Sequence, residues 1–297
     1  MNKSLNFKIW AALITLYVAW GSTYLAIHFL VESVPPIFAS GFRNLLAGLI
    51  LFIWAFFQKD FKFPSKKAWF WCGLAGILML GVGNGCLTVA VKWVPSGYAS
   101  LFPAMIPIWL VILQFFIDGT KPKFLTLIGC ILGIVGVGFL LNLQQLALKG
   151  YEEFFFLGVI LLVIATIGWS CGVVLTTKKV FNYPIAIIAA MQMIVGGAIL
   201  LIFSELWGEL QHFSIAQIKP EAYKSFAFLL IIGSLLGFTV FNWVSQKAPA
   251  TLVATYNYVN PLVAISLGVL FAGEQFNFQL LIAAILIILA VFLITKK

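Results

Sequence analysis

Ten apolar stretches of 18 to 22 residues fill most of this 297-residue chain, and inside them only one residue, Arg43, is permanently charged. A water-soluble fold cannot hide so much apolar surface, whereas a bilayer is a solvent for it. Hydrophobic residues make up 63% of the chain and charged residues 9%, where an average soluble domain is roughly a quarter charged. The pattern is that of an all-α, polytopic membrane protein, and it points to moving a solute across a bilayer.

The spans are expected at 9–30, 36–57, 69–90, 97–117, 124–141, 155–176, 183–204, 225–245, 251–272 and 276–294. Each is close to the ~20 helical residues that cross ~30 Å of hydrocarbon. Lys3 and Lys8 precede the first span as they would in a signal peptide. Its 22 residues exceed an h-region, though, and no small-residue cleavage site follows, so a retained helix is expected.

Lysines orient the spans. With the N-terminus inside, thirteen lysines (Lys3, Lys8, Lys59, Lys62, Lys66, Lys67, Lys121, Lys123, Lys178, Lys179, Lys247, Lys296 and Lys297) fall on the inner side. Only Lys92, Lys149, Lys219 and Lys224 fall outside. The positive-inside rule then places both termini in the cytoplasm of an inner or plasma membrane. Acids sort the other way: Asp60 and Asp118 lie inside, and Glu32, Glu152, Glu153, Glu205, Glu209, Glu221 and Glu274 outside. The net charge of +9 thus reflects topology and does not call for a nucleic-acid partner.

Connections at 142–154 and 205–224 are too short for a core of their own. No Gly-x-x-x-x-Gly-Lys-Ser/Thr loop occurs, which excludes transport driven by this chain's own ATP hydrolysis. Cys72, Cys86, Cys130 and Cys171 lie within spans as small packing residues. No cofactor or metal site is expected.

The two halves repeat. Val94-Pro95-Ser96-Gly97-Tyr98-Ala99-Ser100 leading to Pro107 aligns with Ala248-Pro249-Ala250-Thr251-Leu252-Val253-Ala254 leading to Pro261, and Gly83 aligns with Gly237 and Gly119 with Gly273, all at an offset of 154. Trp20 aligns with Trp169, and Arg43 with Gln192, at an offset of 149. Five spans per half is odd, so the second copy should insert upside down. The expected architecture is ten transmembrane helices in two inverted-topology five-helix repeats, 1–146 and 147–297, with a site near the midplane between them. One chain then holds a complete inverted pair, and a monomer suffices.

On Trp20-Gly21-Ser22-Thr23-Tyr24, Arg43, Gly83-Asn84-Gly85, Pro95-Ser96-Gly97, Tyr256-Asn257-Tyr258-Val259-Asn260-Pro261 and Gly273-Glu274, the chain resembles the EamA-type family of the drug/metabolite transporter superfamily, in its YedA-like exporter branch. The likeness covers essentially the whole chain. One departure is Gly119-Thr120, where the family's recurrent Gly-Glu would place an acid in the first half. The resemblance implies a secondary exporter of small organic metabolites, such as apolar or aromatic amino acids, or of amphipathic drugs.

Three groups of residues are candidates for the solute path. Tyr17, Trp20, Tyr24 and His28 share one helix face, as a solute lining or as a packing stripe. Pro103 and Pro107 interrupt the fourth span and Pro261 the ninth, freeing carbonyls such as those of Ala99 and Asn257, with Tyr98, Phe102, Tyr256, Asn257 and Asn260 alongside. Asn84 and Thr88 lie one turn apart, Asn242 matches Thr88, and Trp169 and Gln192 are the second-half counterparts of Trp20 and Arg43. Arg43 binds either an anionic group or helix carbonyls as a structural lock.

No span contains Asp or Glu. The usual carboxylate proton carrier is missing, which favours facilitation or exchange, or coupling through His28 or Glu32. Gly168-Trp169-Ser170-Cys171-Gly172 matches a hydrolase nucleophile pattern, but it falls inside an apolar helix with no triad partner at hand, so no enzyme is expected. Gly81-Val82-Gly83-Asn84-Gly85 lies within what reads as an uninterrupted helix and so does not suit a channel filter. A membrane scaffold without transport is the rival from another class.

Overall fold

The computed structural model describes residues 3–119, 124–140, 154–178, 183–211, 213–248, 253, 256–273 and 278–295. Thr120, Lys121, Lys123, Lys149, Glu152, Glu153, Lys179, His212, residues 249–252, Ala254, Glu274, Lys296 and Lys297 lie outside the described residues.

The described chain is helical. In order come α1 (Lys3–Val31) and α2 (Pro36–Phe56), then α3 over Lys66–Ala90. Short helical pieces at Ser96–Ala99 and Phe102–Met105 lead into α4 (Ile106–Asp118), and α5 is Phe124–Leu140. α6 (Phe155–Lys178), α7 (Ile185–Leu206), α8 over Pro220–Lys247, α9 (Tyr256–Phe271) and α10 (Phe278–Thr295) complete the chain. Among the described residues, seven segments are long and apolar enough to cross a membrane, and Phe124–Gly133, Val259–Phe271 and Leu281–Ala290 are shorter apolar helices. Large side chains such as Ile53, Trp54, Phe116, Ile131, Leu206 and Phe271 face outward, as a lipid-facing surface requires.

Two features depart from the plain helices expected. The third span is continuous but not α-helical throughout: α3 is α to Gly76, π over Ile77–Asn84 and α again from Gly85. The Gly81–Gly85 run lies largely in that wider turn. α8 repeats the device at the matching place, with π geometry over Leu229–Phe238. In the fourth span, the interruption takes the form of separate pieces. Pro103 and Pro107 each occupy the first turn of a short 3-10 helix and of α4, where a missing N–H leaves no bond unmade. The argument from freed carbonyls therefore applies only to Pro261, which lies inside α9.

α2 and α7 form the central contact and run antiparallel. Gly41 meets Leu200 and Leu201, a Cβ on Gly48 would stand 2.7 Å from Ile194 N, and Gly197 abuts Gly41 and Leu45. Backbones this close require glycine on both sides of the crossing. α5 packs along α10, α1 along α8 and α9, and α6 along α3 and α4. Gly119 and Gly273 end α4 and α9 with φ of +67° and +63°, a left-handed conformation that glycine adopts without strain.

Outside this core, the N-terminus of α2 is tied to the segment after α7. Glu209 accepts from the Ile37 and Phe38 amides at 3.0 and 2.9 Å and from Ser204 Oγ at 2.7 Å. Nearby, Lys219 Nζ donates to Glu32 at 2.7 Å. That carboxylate lies 3.7 Å from His28 and holds the Lys219 pKa above its ordinary value.

Candidate functional site

Where α1, α3, α6 and α8 converge, small residues of the π segments leave room for large rings. Trp20 of α1 packs on Gly237 of α8 and donates from Nε1 to the Gly233 carbonyl at 3.2 Å, while Trp169 of α6 packs on Gly83 of α3. The two indoles meet edge to face with centroids 5.6 Å apart, and Tyr256 stands edge-on to Trp20 at 5.3 Å. These rings wall a cavity of about 110 Å³.

Its lining draws on both halves of the chain. Trp20, Tyr24, Arg43, Asn84, Phe102, Trp169, Tyr256 and Asn260 from the sequence-derived candidates all contribute, as does Pro103. Six other candidates stand off the lining. Tyr17 and Tyr98 pack against buried clusters. Thr88 Oγ1 donates to the Asn84 carbonyl at 2.8 Å, and Asn242 Nδ2 to that of Phe238 at 2.9 Å. Gln192 is fully buried and donates to Thr176 Oγ1 at 3.2 Å. Asn257 is buried without reaching the cavity. Pro107 and Pro261 are also absent from the wall.

Arg43 is 4% exposed and donates through Nη2 to Asn84 Oδ1, which also accepts from Ser40 Oγ at 2.9 Å. Two donors on one oxygen fix which end of the Asn84 amide is which. Asn260 is oriented by the same logic, its nitrogen donating to the carbonyls of Tyr17 at 3.2 Å and Tyr256 at 3.1 Å. Sequence reasoning missed Thr23, Asn44, Thr166 and Ser234 on the wall. Asn44 is adjacent to Arg43, and Thr166 lies one turn before Trp169 and accepts from Trp109 Nε1 at 2.9 Å; neighbourhood to a chosen residue was the available signal. Ser170, of the hydrolase-like pattern, is fully buried in mid-helix, and its Oγ donates to the Thr166 carbonyl at 2.7 Å.

The model of the EamA-like transporter family matches this chain twice, over residues 8–142 and 156–296. The chain belongs to that family. Among curated relatives, this EamA-like protein is 31% identical over 289 residues to the inner membrane transporter YedA of Escherichia coli strain K12, covering 97% of this chain and 90% of YedA. It is 26% identical to the transporter YvbV of Bacillus subtilis strain 168 and 24% to YoaV of the same strain, over 95% and 97% of this chain and 90% and 97% of theirs. A solved crystal structure aligns over 99% of this chain and 97% of its own with a TM-score of 0.66 at 16% identity, which shows a common fold. This member of the EamA-like family is a multi-pass membrane transporter.

Proposed function

We propose that the chain is a secondary transporter that exports small organic metabolites, apolar or aromatic amino acids among them, or amphipathic drugs, by alternating access between two inverted five-helix repeats at 1–146 and 147–297. All ten spans cross the bilayer in this reading, with both termini cytoplasmic and a monomer as the working unit.

One observation carries it: the cavity is walled by residues that correspond between the halves. Trp20 and Trp169 match at an offset of 149, each stacks on the matched glycine of a π segment, and the two rings touch each other. The α2–α7 contact supports the inversion. Gly48 meets Ile194 while Gly197 meets Leu45, and these are the same two positions exchanged by the 149-residue offset. Reciprocal contact between antiparallel helices is what a pseudo-twofold axis perpendicular to both would produce, and for spanning helices such an axis lies in the membrane plane. Tyr17, Thr88, Tyr98, Gln192, Asn242 and Asn257, off the wall in this conformation, are proposed to support it or to meet solute in another one.

The test is efflux from proteoliposomes loaded with a defined mixture of amino acids and cationic aromatic drugs, read by mass spectrometry with and without a pH gradient. Selective efflux of one class supports the reading, and dependence on the gradient assigns coupling to His28 and Glu32. Folded protein that releases nothing selectively favours the scaffold alternative.

A further inference from the structure

We infer that the cavity recognises solutes by a carboxylate, anchored at Arg43 and Asn44 beneath an aromatic enclosure for the solute's body. The inference rests on the proposal that the cavity is the solute site, and it narrows the class of solute.

Arg43 is the one permanent charge within the spans, and it sits on the cavity wall. Burying a guanidinium without an anion is costly, and buried cations normally find a carboxylate. Among the described residues, no carboxylate lies within ion-pair distance of Arg43. Its acceptor there is the Asn84 amide oxygen, already shared with Ser40. Its Nε is buried and has no partner among the described residues.

A second donor is stranded beside it. Asn44 is 1% exposed, lies on the same wall, and its Nδ2 also has no partner among the described residues. Native proteins rarely leave buried donors unpaired, and a recurrent reason is a missing ligand. The guanidinium is a planar fork of N–H groups that matches the two in-plane oxygens of a carboxylate, and Asn44 adds an amide to the same wall. One cation balances one negative charge, so a monoanion leaves the cavity neutral, whereas a phosphate dianion leaves an excess negative charge. A structural lock on helix carbonyls would have left neither Nε nor Asn44 unpaired. The rings of Trp20, Trp169 and Tyr256 then enclose an aromatic or apolar body.

The test uses purified full-length protein in detergent and isothermal titration calorimetry with four probes of one shape: phenylacetate, phenylacetamide, 2-phenylethylammonium and phenyl phosphate. Phenylacetate is expected to bind at least about tenfold more tightly than the amide or the ammonium, because only it pairs the stranded donors with charge. Arg43→Gln should abolish that preference. Should Arg43→Gln fail to fold, Arg43→Lys keeps the charge without the fork and should retain the rank order with weaker phenylacetate binding. Equal binding of phenylacetate and phenylacetamide, tighter binding of phenyl phosphate, or a preference that survives Arg43→Gln overturns the inference. Because binding is read without flux, anion-selective binding in a protein that moves nothing would sink the transport reading and leave this one standing; selective flux of cations without anion preference would do the reverse.

Discussion

Replacing Gly48 by alanine adds one methyl group at the crossing of α2 and α7, and its consequence is calculable. The new Cβ would lie 2.7 Å from the backbone nitrogen of Ile194 and 2.9 Å from Met193 Cβ, about 0.7 Å inside the 3.4 Å at which ordinary contact begins. A backbone atom cannot rotate away, so the helices must separate or bend. Overpacking of this kind costs about 1–3 kcal/mol, while exchanging glycine for alanine inside a helix returns up to about 1 kcal/mol. Gly73→Ala is the internal control. It sits in the α-helical part of α3 against the same helix α7, but the three atoms nearest its Cβ all belong to the Val195 side chain, the closest at 3.2 Å. Both variants gain the same propensity, so their difference isolates the steric part. Thermal or denaturant unfolding of purified protein in detergent, followed by tryptophan fluorescence, should show Gly48→Ala less stable than Gly73→Ala by about 1–3 kcal/mol. A difference within about 0.5 kcal/mol would mean that α2 and α7 do not approach as described, and would remove a support of the proposed inverted arrangement.

Other substitutions test separate parts of the structure. Trp20→Ala should lower flux in the proteoliposome assay, while Trp20→Phe should keep most of it and lose about 1 kcal/mol of stability with the bond to the Gly233 carbonyl; unchanged flux in Trp20→Ala would exclude this ring from the solute path. Glu209→Gln removes the charge that caps the N-terminus of α2, so the unfolding midpoint should fall by the equivalent of about 1 kcal/mol, and an unchanged midpoint would count against that tie. Ser170→Ala should leave flux near wild type and cost no more than about 1 kcal/mol of stability, since the hydroxyl bonds the Thr166 carbonyl of its own helix at 2.7 Å and reaches the Ile106 carbonyl of α4 only at 3.5 Å; a strong loss of activity would reopen the catalytic reading.

The spans were legible because a bilayer demands long apolar runs, and the helices begin and end within a few residues of where those runs do. α2, for example, runs over Pro36–Phe56 against an expected 36–57. The π segments of α3 and α8 were not legible: widening a helix changes its hydrogen-bond partners without changing the hydrophobicity that is read along the chain. Matched glycines at 83 and 237 marked the place without revealing the geometry. In the candidate site, spacing put Tyr17 and His28 on one face with Trp20 and Tyr24, but only the latter two reach the cavity. Which part of a helical stripe faces an opening depends on neighbours far away in sequence. Asn44 was passed over because an asparagine beside an arginine has no periodic signature. Its significance appears only once the wall is assembled and its amide is found without a partner.

The glycine-to-backbone crossing of α2 with α7 also sets an order of events during synthesis. The partner surface for Gly48 lies almost 150 residues downstream, so at ribosomal rates of ~5–20 residues per second α2 is complete for about 7–30 s before Ile194 exists. Throughout that interval the groove around Gly41 and Gly48 has only lipid or the helices of its own half to cover it. Insertion and assembly are thereby separated in time. The first half is threaded into the membrane as a set of helices awaiting a surface, and this crossing cannot form until about two-thirds of the chain has been made.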